Sequence, residues 1–128
     1  YGNNRFLFTG DAEKESENEM LSKKYDLSCD ILKLGHHGSS TSTTNKFLEA
    51  TSPSVAIVSC EKDNDYGHPH KETMNKLNNK HITVYRTDSD GTILAETDGN
   101  IYSITTDLKS VAKSSWKIDK HMLVYFYL

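Results

Sequence analysis

The sequence predicts a mixed α/β fold, a sheet whose strands are joined through helices and which becomes antiparallel at its end. Three observations carry this prediction. Short apolar runs alternate with helix-forming stretches, the first three runs each stop at a loop of small and polar residues, and the last clear strands are joined by a hairpin-type turn. The expected order is β-α-β-α-β-α-β-β-β.

Residues 5–9 form an apolar run that stops at Gly10 and Asp11, which reads as a buried strand ending in a turn. Residues 12–24 are helix formers, with Glu13, Glu15 and Glu17 early and Lys23 and Lys24 late, as the helix dipole prefers, and read as a largely exposed helix. Residues 30–34 are a second strand running into Gly35-His36-His37-Gly38-Ser39-Ser40. Gly35 and Gly38 bracket the histidine pair, so the backbone is expected to turn sharply there and aim one imidazole inward. Ser42 or Thr43 is placed to cap a helix over residues 45–50, and Pro53 introduces a third strand at 55–59.

A polar loop over 61–69 follows, then a helix over 70–79 with Met74 and Leu77 facing a core, and a fourth strand at 82–86. Asp88-Ser89-Asp90-Gly91 reads as a turn. Strands at 92–96 and 101–105 are joined through Asp98-Gly99-Asn100, a connection tolerant of positive φ. The end of the chain, 108–128, carries an apolar run from 122 onward that is either a last strand or an extension outside the domain.

A length of 128 residues suits one domain with a modest core. The net charge of -3, from 15 Lys and Arg against 18 Asp and Glu, excludes the global basic face that dominates phosphate-backbone binding, so any nucleic-acid contact must be local. Lys33, Lys62, Lys71 and Arg86 are the cations available in the loops. Cys29 and Cys60 lack the close spacing of a zinc ribbon or redox pair and read as small apolar strand residues. No run approaches the roughly 18 apolar residues of a membrane helix. Tyr1 is not an initiator residue, so the expectation is that the true beginning, with any localisation signal, lies upstream.

Three strand ends deliver polar side chains: Asp11 after the first, His36 and His37 after the second, His68 and His70 after the third. In open α/β sheets ligands gather at the carboxyl ends of strands. Imidazole with carboxylate is a ligand set for zinc and also suits manganese or iron, and a lone carboxylate such as Asp11 can bridge two ions. Each residue also has a plain reading. Asp11 can cap the following helix, His36 can hold its loop by a hydrogen bond, His68 can pack in a turn around Pro69, and His70 can simply begin a helix. His81 reads as a helix-dipole partner and His121 lies in the tail; neither enters the site. Ser39 and Ser40 read as loop hydroxyls.

Phe8-Thr9-Gly10-Asp11, Leu34-Gly35-His36-His37-Gly38-Ser39, Tyr66-Gly67-His68-Pro69-His70 and residues 85–91 together resemble, in order and spacing, the metallo-β-lactamase domain of ComEC-type competence proteins. The resemblance runs over residues 5–105. It implies an αββα sandwich of which this chain is the second half, with residues 1–107 as the C-terminal half of that domain and 108–128 left as a tail of open structure. It implies two metal ions, zinc or else manganese, activating water for hydrolysis, with a phosphodiester or single-stranded nucleic acid as substrate in DNA uptake. By position, Asp11 matches the bridging aspartate and His37 the metal-binding histidine. His36 matches a neighbouring or substrate-contacting group, and His68 and His70 match a loop expected to contact phosphate or transfer protons.

The family's first metal motif, His-x-His-x-Asp-His or a close variant, occurs nowhere in this chain, so the missing N-terminal half is an expected partner. In such a protein the domain would stand at the cytoplasmic or extracellular face of a bacterial membrane. Two other readings compete: a non-catalytic half-domain or binding module, and a different hydrolase of the superfamily, such as a lactonase, a phosphorylcholine esterase or a β-lactamase-like enzyme.

Overall fold

The computed structural model describes residues 1–106 and 122–126. Its elements are β1 (Phe6–Phe8), α1 (Lys14–Ser22), β2 (Ile31–Lys33), a 3-10 turn (Gly35–Gly38), α2 (Asn45–Thr51), β3 (Val55–Val58), α3 (Lys71–Asn79), β4 (Thr83–Arg86), the single turn α4 (Thr87–Asp90), β5 (Ile93–Thr97), β6 (Tyr102–Thr106) and β7 (Met122–Phe126).

The strands form two sheets rather than the one expected. β1-β2-β3-β4 is a parallel sheet in chain order, and β6-β5-β7 is a separate antiparallel one. The physical reason lies in the alternation of the central strands. β3 is buried on both faces, and it sends Val55 and Ile57 one way and Ala56 and Val58 the other. Ala56 and Val58 pack with Leu32, Leu34, Phe47, Leu48 and Leu77 beneath the helices. Val55 and Ile57 join Ile31 against Ile93, Ala95 and Phe126 of the antiparallel sheet. A sheet apolar on both faces needs two covers. The result is a helix layer, a parallel sheet and an antiparallel sheet, as the resemblance implied.

The apolar run near the C-terminus is a strand, since β7 pairs with β5 from Ile93 opposite Phe126 to Thr97 opposite Met122. Residues 107–121, which hold His121, and 127–128 lie outside the described residues. Two boundaries move slightly. Thr44, not Ser42 or Thr43, caps α2, its side chain accepting from the N–H of Phe47. Helix α1 is largely exposed: Met20 and Leu21 pack half-buried against the core, and its one fully buried residue is Glu17, whose carboxylate accepts from the N–H groups of Thr43 and Thr44 and so anchors the start of α2.

Candidate functional site

Because β1 to β4 are parallel and adjacent in chain order, their C-terminal ends share one edge, and the loops after β1, β2 and β3 meet there. Backbone contacts bind the first two loops together. The N–H of His36 donates to the carbonyl of Gly10 at 3.0 Å, and Thr9 Oγ1 donates to the carbonyl of Lys33 at 3.0 Å. A Cβ on Gly35 would stand 2.8 Å from the carbonyl oxygen of Ala12, so this approach requires glycine. The sharp turn is made differently from expectation: His36 and His37 themselves adopt positive φ, 46° and 54°, followed by Gly38 at 80°. Left-handed backbone at two successive non-glycine residues is costly, on the order of 1 to 2 kcal/mol each, and such strain concentrates at functional sites.

The loop after β3 folds over this turn. Asn64 organises it, its Nδ2 donating to the carbonyls of Glu61 and His68 and its Oδ1 accepting from the N–H of His68 at 2.9 Å. His70 ties this loop to the histidine turn. Its Nδ1 accepts from the N–H of Ser40 at 2.9 Å and lies 3.0 Å from Ser40 Oγ, while Nε2 stands 3.1 Å from the carbonyl of Tyr66. Since Nδ1 accepts from an amide, Nε2 carries the proton and donates to Tyr66. Both nitrogens of His70 are therefore taken by the protein, and its side chain makes no capping bond to α3.

Four imidazoles gather here. The ring of His68 lies 4.8 Å from that of His70 and 5.6 Å from that of His36, both edge-on, and 6.3 Å from that of His37, nearly parallel. His68 is held below the ordinary imidazole range, first by burial and then by the other three rings. Among the described residues neither of its ring nitrogens has a hydrogen-bond partner. His37 Nδ1 lies 2.7 Å from the carbonyl of Ser59, which makes it the donor and leaves Nε2 the acceptor. His36 Nδ1 is enclosed and 2.8 Å from Glu13 Oε1, but off the line of a hydrogen bond.

A cleft of 180 Å³ opens beside these rings, lined by His37, Cys60, Glu61, Asn64, Tyr66 and His68. Asp11 does not line it. The side chain is exposed in the turn after the edge strand β1, with β2 between it and β3. Its plain reading as a helix cap does not hold, because α1 starts at Lys14 with Glu13 before it. What Asp11 does face is Lys33, a partly buried ammonium that burial pushes down and Asp11 pulls back up, and whose Nζ donates to the carbonyl of Leu34 at 3.0 Å. Arg86 is not free for phosphate: it makes a two-point contact with Asp88, and Asp90 accepts from its N–H at 2.7 Å.

The metal expectation is met in part by these residues. An imidazole that donates Nδ1–H to a backbone carbonyl and keeps Nε2 open is the usual arrangement of a metal-ligating histidine, and His37 fits it. Among the described residues no three His, Cys, Asp or Glu side chains are grouped to hold an ion, so they do not compose a centre by themselves. Glu13, Asn64 and Tyr66 were not singled out from sequence as members of the site. Asn64 had no signal, since its work is to bond backbone atoms that folding brings to it.

Residues 1–61 match the family model described as the metallo-beta-lactamase superfamily. The chain is 42% identical over 92 residues to ComE operon protein 3 of Bacillus subtilis (strain 168), covering 72% of this chain and 12% of that protein. It is 39% identical over 94 residues to Competence protein ComA of Neisseria gonorrhoeae (72% of this chain, 14% of that protein). It is 37% identical over 92 residues to Recombination protein 2 of Haemophilus influenzae (72% of this chain, 11% of that protein). The chain thus spans a small part of the length of the curated relatives it matches. No solved structure matches it.

Proposed function

This chain belongs to the metallo-beta-lactamase superfamily, and from that premise we propose that it is the C-terminal half of a metal-dependent phosphodiesterase or nuclease domain that acts on single-stranded DNA during uptake. The observation that carries the reading is the group of four imidazoles around an open cleft, with Nε2 of His37 left unengaged by the Ser59 contact.

Asp11 and His37 would hold metal together with ligands from the half that this chain lacks. When bound there, zinc or manganese would supply Lewis-acid chemistry that activates water near neutral pH. The chain's own residues do the remaining work. His68, kept neutral by its surroundings and with both nitrogens unpartnered among the described residues, is the group suited to accept a proton from the attacking water and then, as the imidazolium, hand it to the leaving oxygen. His36, beside Glu13, sits at the mouth of the same cluster and stabilises the phosphoryl charge when protonated. His70 braces the loop that carries His68, so the chemistry expected of the Gly-His-Pro-His loop falls to His68.

A second reading, a half-domain that binds without catalysing, is favoured by the lack of a three-ligand group among the described residues. Zinc stoichiometry and bis-nitrophenyl phosphate turnover, measured on the isolated chain and on the full-length protein, separate the two. The hydrolytic reading expects weak zinc binding and little turnover from the chain alone, both restored at full length. It also expects loss of turnover by on the order of a hundredfold in full-length Asp11→Ala or His37→Ala. A full-length protein that neither binds metal nor turns over substrate would establish the second reading. Full turnover by the isolated chain would mean the chemistry has been assigned to the wrong residues.

A further inference from the structure

The rim of the cleft carries an aromatic ring that the hydrolytic reading does not use. Tyr66 is 78% exposed, the most exposed large hydrophobic side chain among the described residues. An aromatic ring left in water at a cleft mouth needs a reason, since its burial is worth more than that of most side chains. It is not loosely placed. Its own carbonyl accepts from Nε2 of His70, Gly67 beyond it takes a φ of 70° and donates to the carbonyl of Asn64 at 3.2 Å, and Asn64 holds both ends of the segment.

The ring lies nearly parallel to His68, with centroids 5.7 Å apart and planes 20° from coplanar, and His68 in turn lies nearly parallel to His37. One face of Tyr66 thus closes a short stack of flat rings that ends at the candidate metal ligand, and the exposure leaves the other face to solvent. We propose that this outer face is a stacking platform for a nucleobase, the base next to the phosphodiester that enters the histidine cluster. This rests on the hydrolytic reading for the position of the phosphate.

Charge at the rim agrees. Glu61, Asp63 and Asp65 lie on the exposed loop before Tyr66 with only Lys62 against them, so a phosphate would be repelled at this point. A base carries no charge, and base-on-aromatic stacking tolerates any sequence because every base has a π-face. The ligand is therefore a single strand, whose bases are free to splay, with its phosphates directed toward the imidazoles rather than toward the acidic loop.

The test reads binding, so that it stands apart from hydrolysis. Full-length protein is titrated with phosphorothioate oligothymidylate, which resists cleavage, and with an abasic strand of the same length and charge. Tyr66→Leu is expected to weaken oligothymidylate binding about tenfold, leave abasic binding as it was, and bring the two affinities together, while Tyr66→Trp restores the preference. Ultraviolet crosslinking of a strand carrying 5-iodouracil is expected at Tyr66 and to be competed by oligothymidylate but not by the abasic strand. Equal loss for both strands, no loss for either, or binding without a crosslink at Tyr66 would overturn the platform. Tyr66-dependent binding without cleavage of an ordinary phosphodiester strand would support the platform and overturn the hydrolytic reading instead.

Discussion

The backbone N–H of Ser40 donates to Nδ1 of His70 across 2.9 Å, which joins two loops thirty residues apart in sequence directly behind the imidazole cluster. With Nε2 committed to the carbonyl of Tyr66, the ring acts as a two-sided brace. His70→Phe keeps the ring volume and removes both bonds, leaving the partly enclosed Ser40 amide without its acceptor. The expected loss is about 1 to 3 kcal/mol of unfolding free energy in a denaturant titration. A variant of unchanged stability would show that the brace carries no load.

Gly38 meets the other loop at Pro69, where an added Cβ would stand 2.7 Å from the Cβ of Pro69 at a φ of 80°. Gly67 has a similar φ of 70° but open space around it. Gly38→Ala therefore combines backbone strain with a clash and is expected to cost about 2 to 4 kcal/mol, against about 1 for Gly67→Ala. Paired thermal or denaturant unfolding of the two variants checks the difference, and equal losses would contradict it.

His68 has its pKa lowered from the ordinary 6.5, first by burial and then by His70, His36 and His37. For a depressed imidazole the unfolded chain takes up its proton at a higher pH than the folded one. Its contribution to stability is thus fully present above 6.5 and is lost as pH falls through the folded value. Denaturation midpoints measured over the acid side of neutrality should fall less steeply in His68→Asn than in the unmodified protein. Nuclear magnetic resonance titration of the His68 ring should give a value below 6.5; one above it would sink the prediction.

Both thiols are pushed up, Cys29 to about 11 by burial, and Cys60 by burial and by Asp88 beside it. Since the thiolate is the reactive form, neither should label with an alkylating reagent at pH near 8 while the protein is folded, and both should label on unfolding. Rapid labelling of Cys60 in the folded protein would show that the cleft wall opens.

Most of the helices and strands were legible because their evidence is local. The apolar run of β3, the turn at Gly10 and Asp11, and the spacing of Met74 and Leu77 are properties of a few neighbouring residues. Strand ends at one edge also followed from sequence, since parallel strands joined through helices must point the same way. From this alone, Asp11, His36, His37, His68 and His70 are expected at one edge of the sheet.

What tertiary structure decided was how each of those side chains is engaged. That β5 to β7 leave the parallel sheet and cover it was settled by Ile31, Val55 and Ile57 needing a second apolar cover, a demand that pairs residues far apart in the chain. His37 keeps a free nitrogen and His70 does not because Ser59 and Ser40, from other loops, happen to stand at the right ring atoms. Local pattern specifies which residues reach the edge of a sheet. Only the meeting of distant segments, each satisfying the other's backbone groups, specifies which imidazole is left over for chemistry.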